Sequence, residues 1–236
     1  MSNTSTPTSH CDTCESRERS VFCELLPREI ESITATKVTR TISRGDTLFY
    51  DGDTPAGIYC VSQGTLKIYK GSRDGREQIV RLARPGDIVG YRAILSGGGH
   101  NNSATALDDV SVCYIPRAVF FSLIQDNPQM ATKVLSLLSA ELRRAEDRMV
   151  DMQRPVRERV AETLLLLRQS GGVDADGRTL NIRVTRAEIG SIVGAATESV
   201  NRLLADFKRE GLVEFVGRRI SILDHDRLVD AAALAD

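Results

Sequence analysis

Between Thr36 and Phe120, glycine and aspartate interrupt the chain at short intervals: Gly45-Asp46, Gly52-Asp53, Gly64, Asp74-Gly75, Gly86-Asp87 and the run Gly97 to Gly99. Gly64, Gly75 and Gly86 stand eleven residues apart. Breaks at that spacing suit short strands and exclude a long helix. The stretches Ile58–Ser62, Thr65–Tyr69 and Gln78–Leu82 between them are rich in β-branched and aromatic residues. Regular turn signals separated by such segments predict an all-β sandwich or barrel.

The pattern changes at Pro128. Ala131, Leu135, Leu138, Leu142, Ala145, Met149 and Met152 recur at spacings of four and three, a heptad seam. Arg143, Arg144, Glu146, Asp147 and Arg148 surround it. The seam reads either as one face of a helix packed on its own sheets or as the contact of two such helices. Three regular heptads, about 32 Å of helix, favour the second reading, a homodimer. No charged residue interrupts the seam, so it needs no cofactor to pair. Control acting on dimerisation and control acting on the orientation of the DNA-binding domains both stay open. Pro155 ends the helix, which places a hinge at Gln153-Arg154. A second apolar helix is expected from Val156 to Gln169. The chain therefore divides into a cysteine-containing arm (1–25), a sensor β-barrel (26–126), a dimerisation helix (127–153) and a C-terminal domain (154–236), an α+β protein.

The most informative stretch runs from Thr185 to Ile222. Thr185 and Glu188 form a capping box that opens a short helix over Arg186–Val193. Gly194 supplies a tight turn, and a second helix starts at Ala196-Thr197 with Val200, Leu203, Leu204 and Phe207 on its buried face. Gly211 ends it. Residues 212–216 and 220–222 then read as a two-stranded wing around Gly217. Helix, turn, helix and hairpin make a winged helix-turn-helix. Its second helix enters the major groove by its N-terminal part, which assigns Thr197, Glu198, Ser199, Asn201 and Arg202, with Thr185 and Arg186, to double-stranded DNA. A carboxylate accepts from cytosine N4, a guanidinium pairs with guanine, and an asparagine pairs with adenine. The plainer reading of Glu198 and Arg202 is an i,i+4 ion pair on a solvated face.

Composition fits this only locally. The net charge is -1, so no global basicity announces nucleic acid. From Arg178 to Arg219 there are eight Arg/Lys against five Asp/Glu, a mild excess that permits phosphate contact. No apolar run nears the roughly 20 residues of a membrane span, and the polar N-terminus lacks a signal-peptide core; a cytoplasmic protein without membrane partners is expected. Walker-type loops, G-x-S-x-G and H-E-x-x-H motifs are absent, and the three histidines are scattered, so the chain does not read as an enzyme.

The segment Thr185 to Gly190, then Gly194 and Thr197 to Leu204, resembles the helix-turn-helix signature of the CRP/FNR family of bacterial transcription regulators. The likeness covers nearly the whole chain. Gly45 to Phe49, Gly64 to Lys67 and Gly86 to Gly90 match that family's effector domain, a cyclic-nucleotide-binding-like jelly roll, and the heptad helix matches its dimerisation helix. The resemblance implies that Glu198 and Arg202 read bases and that the operator is a TTGAT-like inverted repeat. Asn201 stands where the FNR branch usually carries serine. Contact with RNA polymerase is likewise implied by the resemblance alone.

A cyclic-nucleotide site in this family takes a Gly-Glu and a following Arg-Ser or Arg-Thr. This chain has Gly90-Tyr91 and Asn102-Ser103 in their place, and no cyclic nucleotide is expected. The cysteines offer another sensor. Five in a cytoplasmic chain point to metal binding or thiol sensing rather than disulfides. Cys11, Cys14 and Cys23, separated by two and eight residues, together with Cys113, resemble the four ligands of a [4Fe-4S] cluster in the oxygen sensors of the FNR branch. The eight-residue spacing is on the long side for that branch. Cys60 reads as a buried filler. A four-thiolate zinc site, a thiol redox switch, and a regulator of the same fold sensing haem, nitric oxide or a metabolite stay open beside the cluster. On the cluster reading, its oxygen-labile presence biases the paired helices toward the DNA-competent state.

Overall fold

The computed structural model describes residues 11–72 and 75–233; the first ten residues of the cysteine arm lie outside them. The chain opens with a short helix α1 (Glu15–Glu18) and α2 (Pro27–Thr36), the latter started by a proline whose fixed φ suits a first turn. Strands β1 (Val38–Ile42), β2 (Thr47–Phe49), β3 (Gly57–Gln63), β4 (Leu66–Gly71), β5 (Glu77–Ala83) and β6 (Ile88–Val89) follow, then α3 (Tyr91–Ser96), β7 (Ser103–Ala106) and β8 (Val110–Pro116). Helices α4 (Arg117–Asp126), α5 (Pro128–Asp151), α6 (Val156–Gly171), α7 (Arg186–Val193) and α8 (Thr197–Arg209) come next. The hairpin β9 (Val213–Val216) and β10 (Arg219–Ile222) and a last helix α9 (His225–Ala231) complete the chain.

Contacts divide it into two compact units, 1–71 with 80–142 and 72–79 with 143–236. In the first, two four-stranded sheets of order β1-β8-β3-β6 and β2-β7-β4-β5 share a core of Phe49, Val61, Leu66, Ile68, Val89, Val110 and Val112. This is a jelly roll. The expected barrel is not closed: β2 and β6 are three and two residues long, too short to carry one sheet into the other. Gly64 and Gly86 turn in the left-handed region, at φ 76° and 97°, where a side chain is strained; the eleven-residue punctuation has this cause.

Strand residues alternate between faces. Tyr59 and Val61 of β3 point into the jelly roll, while Ile58 and Cys60 point out. On that outer face Ile58, Ile88 and Ile115 pack with Phe22 and Leu25 of the arm, Ile33 of α2, Phe120 and Leu123 of α4, and Met130 and Val134 of α5. Helix α5 therefore buries one face in its own chain. Its heptad positions Leu135, Leu142 and Met149 remain 66%, 61% and 73% exposed.

In the second unit, Val160, Leu164 and Leu167 of α6 are buried together with Ile189, Val193, Val200, Leu204, Phe207 and Leu228. Residues 179–180 add isolated bridges at the edge of the wing, Val173 to Leu180 and Thr179 to Ser221. Among the described residues no helix is long and apolar enough to cross a membrane.

Candidate functional site

The reading head is built from local rules. Thr185 Oγ1 accepts from the Glu188 N–H at 3.1 Å, and Glu188 Oε2 accepts from the Thr185 N–H at 2.6 Å, a closed capping box. Gly194 ends α7 at φ 65°, ψ 42°. Gly190 is needed as well: a Cβ there would sit 2.7 Å from the Ala195 carbonyl, so the turn closes only over glycine. Helix α8 then buries Val200, Leu204 and Phe207, half-buries Leu203, and turns Glu198, Asn201 and Arg202 outward. Thr197 and Ser199 are half-buried at its start, and Thr185 and Arg186 are exposed. Among the described residues the side chains of Glu198 and Arg202 hold no hydrogen bond or ion pair, so the bracing pair considered from the sequence is not made.

The wing is an antiparallel hairpin with Val213 opposite Ile222 and Val216 opposite Arg219. Gly217 turns it at φ 60°, with Arg218 exposed at the tip. The Arg186 guanidinium lies 4.8 Å over the Phe215 ring, and Lys208 pairs with Glu214 at 2.7 Å. The arrangement presents polar side chains along one helix, flanked by arginines of a hairpin and a helix start.

Of the seam residues, Leu135, Leu142, Ala145 and Met149 are exposed, while Ala131 and Leu138 are half-buried and Leu138 packs on the outer-face core. Met152 lies beyond the end of α5 and takes a contact from Arg159 Nη1 at 2.9 Å on its sulfur.

The second candidate is a hollow on the outer face of the first sheet, lined by Cys11, Cys14, Arg17, Phe22, Leu25, Ile30, Ile33, Lys37, Cys60, Ser62, Cys113 and Ile115. The arm is docked over it. Ser16 Oγ donates to the Ser62 carbonyl at 2.9 Å, and Arg17 donates to the carbonyls of Cys11 at 2.7 Å and Cys23 at 3.1 Å. A Cβ at Gly86 would meet Arg19 Cβ at 3.0 Å, so that turn is also shaped for the arm. Cys60 and Cys113 face each other across β3 and β8. Burial pushes both thiols up; Lys37 and the Thr39 hydroxyl pull Cys113 back, whereas Cys113, Cys14 and Cys11 push Cys60 further. Cys60, read as a buried filler, lines the same hollow as Cys113. Cys23 does not line the hollow; its sulfur accepts from Lys133 Nζ at 2.7 Å. Four thiols, Arg17 and Lys37 thus line one hollow with apolar walls. Among the described residues, no three His, Cys, Asp or Glu converge closely enough to hold one metal ion.

The positions compared with the family's cyclic-nucleotide site are placed as follows. Tyr91 is fully buried, the His100 ring stacks on Phe49 with centroids 3.8 Å apart, Ser103 accepts from the Asp51 N–H at 3.0 Å, and Arg92 lies 3.8 Å from Glu141.

Two family profiles match, a cyclic nucleotide-binding domain over residues 39–127 and a Crp-like helix-turn-helix domain over 158–231. A CRP-like cAMP-activated global transcriptional regulator of Mycobacterium tuberculosis is 32% identical over 90% of this chain and 96% of its own length. The fumarate and nitrate reduction regulatory protein of Escherichia coli is 30% identical over 94% of this chain and 90% of its own. The structure of FixK2 from Bradyrhizobium japonicum superposes with a TM-score of 0.74 at 30% identity, covering 85% of this chain and all of that one. With a jelly roll, a long helix and a winged helix-turn-helix in this order, the chain belongs to the CRP/FNR family of transcription regulators, whose members bind DNA and act as dimers.

Proposed function

We propose that this regulator is a cytoplasmic homodimer that reads an inverted-repeat operator through Glu198, Asn201 and Arg202, and that oxygen or redox state controls it through a [4Fe-4S] cluster at the cysteine hollow. The observation that carries the DNA reading is the outward pair Glu198 and Arg202, unpartnered among the described residues, on a helix whose opposite face is buried. Nothing in the fold needs either charge. Ser199 and Thr197 at the helix start, with Thr185, Arg186 and Arg218, suit phosphates, which position the head without reading sequence.

Two heads a DNA turn apart, roughly 34 Å, require a symmetric pair of chains. The uncovered stripe Leu135, Leu142 and Met149 supports such a pair. RNA polymerase contact rests on family membership.

The sensor reading rests on the hollow. It gathers thiols from the arm and from the sheet, with Cys11, Cys14 and Cys113 common to the sequence expectation and the lining; Cys23 is the fourth ligand that the resemblance assigns. A cluster bound there supplies oxygen-labile thiolate chemistry. The chain's own part is to exclude water with Phe22, Leu25, Ile33 and Ile115, and to offset negative charge with Arg17 and Lys37.

A second reading, activation by a cyclic nucleotide, is favoured by the profile over residues 39–127 and by the mycobacterial relative. Against it stand Gly90-Tyr91 and Asn102-Ser103, where the family's site carries Gly-Glu and Arg-Ser or Arg-Thr; Tyr91 is buried and Ser103 accepts from the Asp51 N–H. Anaerobic purification with iron and sulfide analysis, then binding to a TTGAT-type inverted repeat before and after air, tests the first reading. Calorimetry with cAMP tests the second. Iron-free protein that binds cAMP and then DNA would reverse the assignment.

A further inference from the structure

We infer that Phe215 is a positioning residue for DNA: its ring holds the Arg186 guanidinium flat, with its N–H groups spare, as a ready clamp for a backbone phosphate. The inference rests on the DNA reading above and deepens it, because it makes the wing set a contact at the start of α7.

Three observations carry it. First, Arg186 opens α7 and is exposed, and its guanidinium lies 4.8 Å over the Phe215 ring. Stacking occupies the flat face of a guanidinium and leaves its in-plane N–H groups open. Among the described residues those groups meet no acceptor. Second, other cations of this unit are already matched. Lys208 pairs with Glu214 at 2.7 Å, Arg209 with Asp206 at 2.7 Å and Arg219 with Asp174 at 2.8 Å. A cation held by a carboxylate must give that partner up to meet a phosphate, whereas Arg186 keeps its ring and gives up nothing. Third, the ring is fixed. Phe215 stands opposite Ile220 in the wing, and Ile220 is 5% exposed, so the ring shares a face with a core residue. Glu214 Oε1 accepts from the Phe215 N–H at 2.8 Å and from Lys208 Nζ at 2.7 Å, which ties β9 to the last turn of α8. Lys208 Nζ also lies 5.8 Å from the ring centroid. A long arginine loses rotamer freedom when it clamps a phosphate. The ring removes part of that freedom beforehand, and two parallel N–H groups suit two phosphate oxygens.

The test reads binding of the full chain to a TTGAT-type inverted repeat and to a random duplex by fluorescence anisotropy across a salt series. Wild type, Arg186→Ala, Phe215→Leu, Phe215→Tyr and the double variant Arg186→Ala with Phe215→Leu are compared, and the melting temperature reports the fold. Phe215→Leu is expected to weaken binding to both duplexes by the same factor, since a phosphate contact carries no sequence information. The loss should be about two- to fivefold per head and about five- to 25-fold for a dimer. Phe215→Tyr keeps the flat face and should bind as wild type does. Arg186→Ala should lower the slope of log affinity against log salt by about 1.8 for a dimer, and adding Phe215→Leu to it should cost nothing further. Phe215→Leu at wild-type affinity, an equal loss from it in the Arg186→Ala background, or an unchanged salt slope in Arg186→Ala overturns the inference while the DNA reading stands. A wild type that binds neither duplex overturns both. Should Phe215→Leu misfold, Arg186→Lys decides, because it keeps the charge and loses the flat guanidinium. Weaker binding at the wild-type salt slope supports the inference, and wild-type affinity overturns it.

Discussion

Replacing Leu142 by alanine should weaken the dimer without touching the fold of the single chain. Leu142 is 61% exposed in one chain, so pairing can remove about three-fifths of its surface from water. Full burial of a leucine is worth about 1.5–3 kcal/mol, which scales to about 1–2 kcal/mol per chain. Both chains carry the change, giving about 2–4 kcal/mol per dimer as an upper estimate, or roughly 30- to 1000-fold in the dimer dissociation constant. Folding of the chain itself should move by less than about 0.5 kcal/mol, since alanine is the better helix former at an exposed site. Met130→Ala is the counter-test. Met130 is 2% exposed on the opposite face of the same helix, and its truncation should cost about 2–5 kcal/mol of fold stability. Sedimentation velocity over a dilution series reads the first quantity, and chemical unfolding reads the second. A Leu142→Ala dimer that dissociates at the wild-type concentration refutes the assignment of this stripe as the interface.

Glu198→Ala and Arg202→Ala should each lose about 1–3 kcal/mol of discrimination, roughly five- to 150-fold, between operator and random duplex in fluorescence anisotropy, with an unchanged melting temperature because neither side chain has a partner among the described residues. Gly194→Ala should destabilise the second unit by about 1–2 kcal/mol from the left-handed backbone alone, seen as a lower melting temperature. Burial holds the His100 imidazole below its usual 6.5, against the pull of Asp53. The unfolded chain therefore binds that proton more readily; stability is full above about pH 6.5 and declines as pH falls toward the folded value, and His100→Phe should flatten the melting temperature across that window. Light scattering should give the same dimer mass with and without iron; a monomer in the iron-free state would restore control by dimerisation.

The helix-turn-helix was legible almost to the residue because every one of its signals is local: a capping box at Thr185 and Glu188, a left-handed glycine at 194, and apolar spacing along one short helix. Strands β3, β4 and β5 were legible for the same reason, through their glycine turns; β1, β2, β6, β7 and β8 were not. Helices α3, α4 and α9 were not. Arg117–Asp126 is an apolar run after a strand, and such a run does not declare whether it continues the sheet or turns to cover it. That Cys60 lies opposite Cys113 was not legible, for a non-local cause. Its neighbour Cys113 is set by a strand register reaching across more than fifty residues, which no local pattern announces. Its position in β3, with Ile58 on the same face, was the one available signal.

The hollow and the dimer stripe are two sides of one packed layer. Leu25, Ile33 and Ile115 wall the hollow, and they belong to the same core as Met130 and Val134 of α5. Leu135 and Leu142 project from the other face of that helix. Whatever enters the hollow must move against a close-packed core, and α5 is one wall of that core. The stripe, however, is apolar and uncovered whether or not the hollow is filled, so its drive to pair does not wait for a cofactor. What a change in the core can alter is how α5 is seated: its rotation, and with it which stripe residues would meet across a pair. A rotated seam still buries leucine, so pairing itself would persist. The cluster reading proposed above therefore predicts control through the geometry of a standing dimer, which the unchanged mass with and without iron checks.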